Sequence, residues 1–146
     1  MVKGYSVYGI KIAWMHYYFI WPTWNSKPIL KEDIKERCRV LLEREIRRLD
    51  CEVRLITFYE NKIFLATRSN PKLSPHKIIS RLKSVTSKIL RKEFPELLKV
   101  PSLWTRSYFA STYGHTPKKE MKEYDKYLES QKKVYKRKVK EWNNND

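Results

Sequence analysis

Two stretches of apolar residues at helical spacing bracket a pair of alternating strands, and that order leaves this chain few ways to fold. Between positions 30 and 49, Leu30, Ile34, Cys38, Leu41, Leu42, Ile46 and Leu49 recur at the period of a helix with one buried face. Glu32 and Asp33 fall in its first turn and Arg47 and Arg48 in its last, the arrangement the helix dipole favours. Residues 51–58 and 62–67 then alternate in polarity, and Tyr59-Glu60-Asn61 between them is too short for anything but a hairpin, so these strands run antiparallel. Asn70, Pro71 and Pro75 mark a loop. A second helix carries Ile78, Ile79, Leu82, Val85, Ile89 and Leu90 and ends before Pro95.

The flanks add to this frame. Residues 5–21 are dominated by Tyr, Val, Ile, Phe and Trp and predict an extended segment that Pro22 stops. Residues 104–113 predict a further strand. Thr116-Pro117 opens a last helix, with proline where its missing N–H costs nothing. The order is strand, helix, strand, strand, helix, strand, helix, which predicts an α+β fold with an antiparallel sheet and helices packed on it. A length of 146 residues suits one domain over 1–146, with residues 132–146 as a basic helical extension.

Charge bounds the partners. The chain has 32 Lys and Arg against 16 Asp and Glu, a formal net charge of +16, and such a field draws in nucleic acid or any strongly acidic surface. No apolar run approaches the roughly 20 residues of a membrane span, and the aromatic start with Lys11 inside it is unlike a signal peptide. Cys38 and Cys51 lack metal-ligand spacing and read as buried free thiols, so an intracellular, cytoplasmic protein is expected. A single Gln, with abundant Lys, Glu, Ile and Tyr, fits a thermophile.

Candidate site residues fall into three groups. In Tyr127-Leu128-Glu129-Ser130-Gln131, a tyrosine and a glutamine lie four apart on one helix face. Trp21 and Trp24, at the exit of an aromatic strand, suit core packing, a platform for stacked bases, or anchors of a protein interface. Lys62, Lys83, Lys88, Arg91 and Lys92, with Lys133, Lys136, Arg137 and Lys138 of the tail, are candidate contacts to phosphate or to an acidic partner. His16, His76 and His115 are too scattered to form a metal site, and no cofactor is expected.

Three segments together carry a resemblance. Residues 84–97 pair a helix with the Phe94-Pro95 that ends it. Leu103-Trp104-Thr105-Arg106-Ser107-Tyr108-Phe109 is followed by Gly114. The Tyr127-x-x-x-Gln131 helix comes next. In that order they resemble the single-tyrosine HUH transposases, over roughly residues 17 to 131. The resemblance implies a divalent metal held by a His-hydrophobic-His strand and the glutamine, with the tyrosine attacking a scissile phosphate. It also places Lys62 and Phe64 where the two histidines belong. An ammonium has no lone pair to offer and a phenyl ring cannot coordinate, so metal chemistry is not expected. The basic stretch the family carries after its first strand is here Trp21-Pro22-Thr23-Trp24-Asn25-Ser26-Lys27, largely neutral.

These departures predict a protein that binds and does not cut, with Tyr127 and Gln131 kept as ancestry. Its size, charge and missing histidines are also similar to small viral proteins that inhibit archaeal RNA polymerase. That similarity implies a host polymerase as partner, blocked by occupation of its nucleic-acid channel. Non-catalytic binding of DNA or RNA and a residual tyrosine transesterase are the competing readings. Monomer and family-type homodimer both stay open.

Overall fold

The computed structural model describes residues 6–8, 11–13, 15–112 and 122–132, the first two stretches as backbone only. The chain divides into two compact units, Met1–Gly114 and His115–Asp146. In the first unit, β1 (Ser6–Tyr8), β2 (Lys11–Ala13) and β3 (Met15–Pro22) precede α1 (Glu32–Arg48). Then come β4 (Glu52–Phe58), β5 (Lys62–Ser69), α2 (Pro75–Glu93) and β6 (Phe109–Thr112). The second unit contributes α3, residues 122–132.

β3 to β6 form an antiparallel sheet in the order β4-β5-β3-β6, the α+β architecture expected. Register sorts its faces. Phe19 lies opposite Leu65 and Trp21 opposite Ile63, all fully buried. They join Cys38, Leu41, Leu42 and Ile46 of α1 and Ile78, Ile79, Leu82 and Leu90 of α2 in one core. The residues between them, Tyr18, Ile20, Lys62 and Phe64, therefore take the other face.

Each helix ends where local chemistry stops it. α1 closes with Asp50 at φ 56°, while Cys51 N–H donates to Ile46 O and Asp50 N–H to Arg47 O, the bonding of a Schellman cap made without glycine. Ser74 Oγ accepts from Lys77 N–H at 3.2 Å and caps α2, with Pro75 in its first turn. Phe94-Pro95 ends it.

Two sequence expectations need correction. The run 5–21 is not one strand: Ser6 pairs with Ala13 and Tyr8 with Lys11, so the chain folds back on a two-residue connection before β3 begins. Among the described residues of the strand expected over 104–113, only Phe109–Thr112 is regular, because Trp104 makes an isolated bridge to Thr23 and its neighbours bond to a turn and to α2. The expected start of the last helix lies outside the described residues.

The junction of β3 with β5 is tied at Thr23, which is fully buried. Its N–H donates to Asn61 O at 2.9 Å, and its Oγ1 donates to Lys27 O at 2.6 Å and lies 3.2 Å from Asn61 O. Leu30 N–H donates to Glu60 O from the same side. These bonds hold Glu60 and Asn61, the residues that lead into β5, in place.

Candidate functional site

Lys62 and Phe64 open β5. Lys62 pairs with Pro22, and Phe64 with Ile20 on one side and Thr57 on the other. Being two apart in a strand, both side chains project from the face away from α1 and α2, the geometry two chelating histidines would need. The chemistry there is different. Lys62 Nζ sits 5.0 Å from the centroid of the Tyr59 ring, within cation–π range. Phe64 packs against Tyr18 with ring centroids 5.3 Å apart. A divalent ion finds no donor at either position, so the residues present do not fit the metal that the resemblance implies.

The histidines stand elsewhere. His16 lies opposite Arg68, and burial first, then Arg68 and Arg54, pulls its pKa below the ordinary value. His76, in the first turn of α2, contacts Tyr108 OH at 3.0 Å through Nδ1 and Ser80 Oγ at 3.4 Å through Nε2. His115 lies outside the described residues. Among the described residues, no three His, Cys, Asp or Glu side chains converge as a metal set. Lys62→His combined with Phe64→His is expected to create a chelating pair, seen by calorimetry as nickel binding that the native chain lacks. Equal binding by the native chain would mean a metal site at other residues.

On α3, Tyr127 is 47% exposed and its ring stacks on Tyr124, with centroids 6.3 Å apart and planes 21° from parallel. Ser130 Oγ donates to Tyr127 O at 2.8 Å, and exposed Gln131 follows one turn on.

Among the binding candidates, the structure separates structural residues from available ones. Trp21 is wholly buried, its ring edge-on to Trp104 at 6.0 Å, so it cannot stack a base. Trp104 Nε1 in turn donates to Thr86 Oγ1 at 2.9 Å, fastening the 104 segment to α2. Trp24 is half-buried, and its N–H donates to Leu103 O. Lys83 donates from Nζ to Thr105 O at 2.6 Å and Arg106 O at 3.3 Å, and burial lowers its pKa. Arg91 reaches Pro101 O and Val100 O at 3.2 and 3.1 Å. Lys83 and Arg91 thus hold the 100–106 loop. Lys88 and Lys92 are exposed, while Lys133, Lys136, Arg137 and Lys138 lie outside the described residues.

One cluster escapes a reading of the sequence. Glu45 of α1 has no exposed surface, yet three guanidiniums converge on it. Arg44 and Arg48 donate to Oε1 at 3.2 and 3.0 Å, and Arg81 of α2 donates to Oε2 at 3.1 Å. Burial alone would raise the Glu45 pKa, but hydrogen bonds from Arg81 and Arg44 and the charges of Arg81 and Arg48 hold it below the ordinary value. Arg44 and Arg48 flank Glu45 in sequence, but Arg81 joins from another helix, and no local pattern announces it.

Comparison with known proteins agrees with this architecture. Residues 11–131 match the model of the family described as IS200-like transposase. A candidate transposase of Deinococcus radiodurans R1 superposes with a TM-score of 0.77 at 17% identity, covering 84% of this chain and 97% of that one. A REP-associated tyrosine transposase, solved bound to a REP hairpin, gives 0.50 at 13% identity, covering 84% and 68%. No curated protein matches the chain in sequence. The chain belongs to the IS200-like transposase family.

Proposed function

We propose that this chain is a transposase-derived binding protein that does not cut DNA, and that it inhibits RNA polymerase in an archaeal host by occupying the enzyme's nucleic-acid channel. The observation that carries the first part is the register of β5. It sets Lys62 and Phe64 side by side on the face away from the helices, where the family relies on two metal-binding histidines. Cleavage by a tyrosine needs the phosphate polarised and the leaving oxygen stabilised, and a point cation with an aromatic neighbour cannot match a divalent ion in either task. Support for the polymerase comes from charge and from the sequence resemblance to small viral inhibitors. A protein of net charge +16, descended from proteins that handle DNA, suits a channel built around nucleic acid.

Two measurements test this. Incubated with single-stranded hairpin DNA and magnesium or manganese, the full chain is expected to form no covalent adduct. An adduct that disappears in Tyr127→Phe would overturn the non-cutting reading. Added to purified archaeal RNA polymerase, the chain is expected to bind the enzyme and to block transcription on preassembled templates. Unimpeded transcription at a saturating concentration of the chain would sink the polymerase reading.

A further inference from the structure

We infer that the outer surface of the α1–α2 layer is a phosphodiester-binding track for duplex nucleic acid, on the opposite side of the sheet from Lys62 and Phe64. Lys77, Arg81, Lys88 and Lys92 are spaced four, seven and four residues apart, which brings them onto one side of α2. At 1.5 Å per residue the row runs about 22 Å. All four side chains are exposed, and Ser84 between them is neutral, so no carboxylate interrupts the row. Among the described residues, the ammonium groups of Lys77, Lys88 and Lys92 are committed to no hydrogen bond or ion pair, unlike Lys83 and Arg91.

The Glu45 cluster widens the row toward α1. One buried carboxylate gathers Arg44, Arg48 and Arg81, whose side chains are 33%, 59% and 52% exposed. Glu45 fixes their positions yet neutralises only one of three charges. Arg81 gives it Nε and Arg48 gives it Nη1, and each guanidinium carries further N–H donors. Guanidiniums ordered in advance and charged in excess suit phosphate oxygens, which accept their paired donors.

Two features favour duplex backbone over other polyanions. The row has no aromatic side chain on which unpaired bases could stack, the feature that single-strand binders rely on. Nor does it have an apolar centre of the kind a stable protein interface is built around. Its chemistry is that of charge and N–H donors alone, which reads backbone and not sequence. This track stands apart from the polymerase reading, because it is assayed with naked DNA and the purified chain.

The test follows binding of the full chain to a fluorescent 20-base-pair duplex by anisotropy over a range of salt. Neutralising the row with Lys77→Gln, Lys88→Gln and Lys92→Gln is expected to weaken binding about tenfold. The slope of log K against log salt should become shallower by about 2.7, since each phosphate contact contributes about 0.9. A control of equal charge change uses the exposed residues Lys27→Gln, Lys99→Gln and Lys126→Gln and is expected to retain most of the slope. Equal losses in both variants would reduce the effect to net charge and overturn the track. So would competition by polyglutamate as effective, per charge, as that by unlabelled DNA, which would make the row a contact for acidic protein.

Discussion

Trp21→Ala is expected to lower the stability of the fold by about 4 kcal/mol, the middle of the range for deleting a large buried ring. Trp21 has no exposed surface, lies opposite Ile63 across the β3–β5 pair, and meets Trp104 edge-on. Truncation removes the ring's contacts with both layers and leaves a cavity that strands in fixed register cannot close. Such a loss is a large share of the roughly 5–15 kcal/mol that holds a domain together. Urea unfolding checks it as a fall in midpoint. Trp24→Ala, at a half-buried turn residue, is expected to shift the midpoint far less. A small effect at Trp21 would mean that its ring is not part of the core, and would restore the base-stacking role that burial denies it.

Glu45→Ala should be the next most damaging change, at about 3 kcal/mol. Removing one partner of a buried ionic cluster costs more than the cluster contributes, because the charges left behind lose their compensation. Here the figure is held down because Arg48 and Arg81 are more than half exposed and can recover water. The same carboxylate fixes a pH dependence. Its folded pKa lies below the ordinary 4.5, so its contribution is fully present above about pH 4.5 and is lost as pH falls through the folded value. Glu93 behaves in the same sense, its carboxyl held low by hydrogen bonds from Arg37. Both acids link α1 to α2. Acid unfolding should therefore set in at higher pH in Glu45→Ala than in the native chain, and identical acid profiles would remove the cluster from the account of stability.

What the sequence makes legible is set by how local the cause is. Both long helices show in apolar spacing and in their end charges, and the α2 cap shows in Ser74 and Pro75. The β4–β5 hairpin shows because three residues cannot span any other connection. The β1–β2 hairpin does not show, since a uniformly aromatic and β-branched run looks the same whether it continues straight or folds back. The fate of basic residues is equally hidden. Lys83 and Lys88 are alike in sequence, yet one donates to the carbonyls of Thr105 and Arg106 while the other is exposed. Burial of Trp21 beside half-exposed Trp24 depends on which strand lies opposite, a long-range fact. For the face that carries Lys62 and Phe64 the position is more legible than the partners, because alternation alone puts residues 62 and 64 together.

The bonds around Thr23 bear on how far the neighbouring face can vary. The main chain leading into β5 is tied by the carbonyls of Asn61 and Glu60, which accept from Thr23 and Leu30. These main-chain bonds do not depend on which side chains stand at 62 and 64, so substitutions there are expected to leave the β3–β5 junction in place. The backbone thus lets the face that carries residues 62 and 64 vary in chemistry while the fold persists.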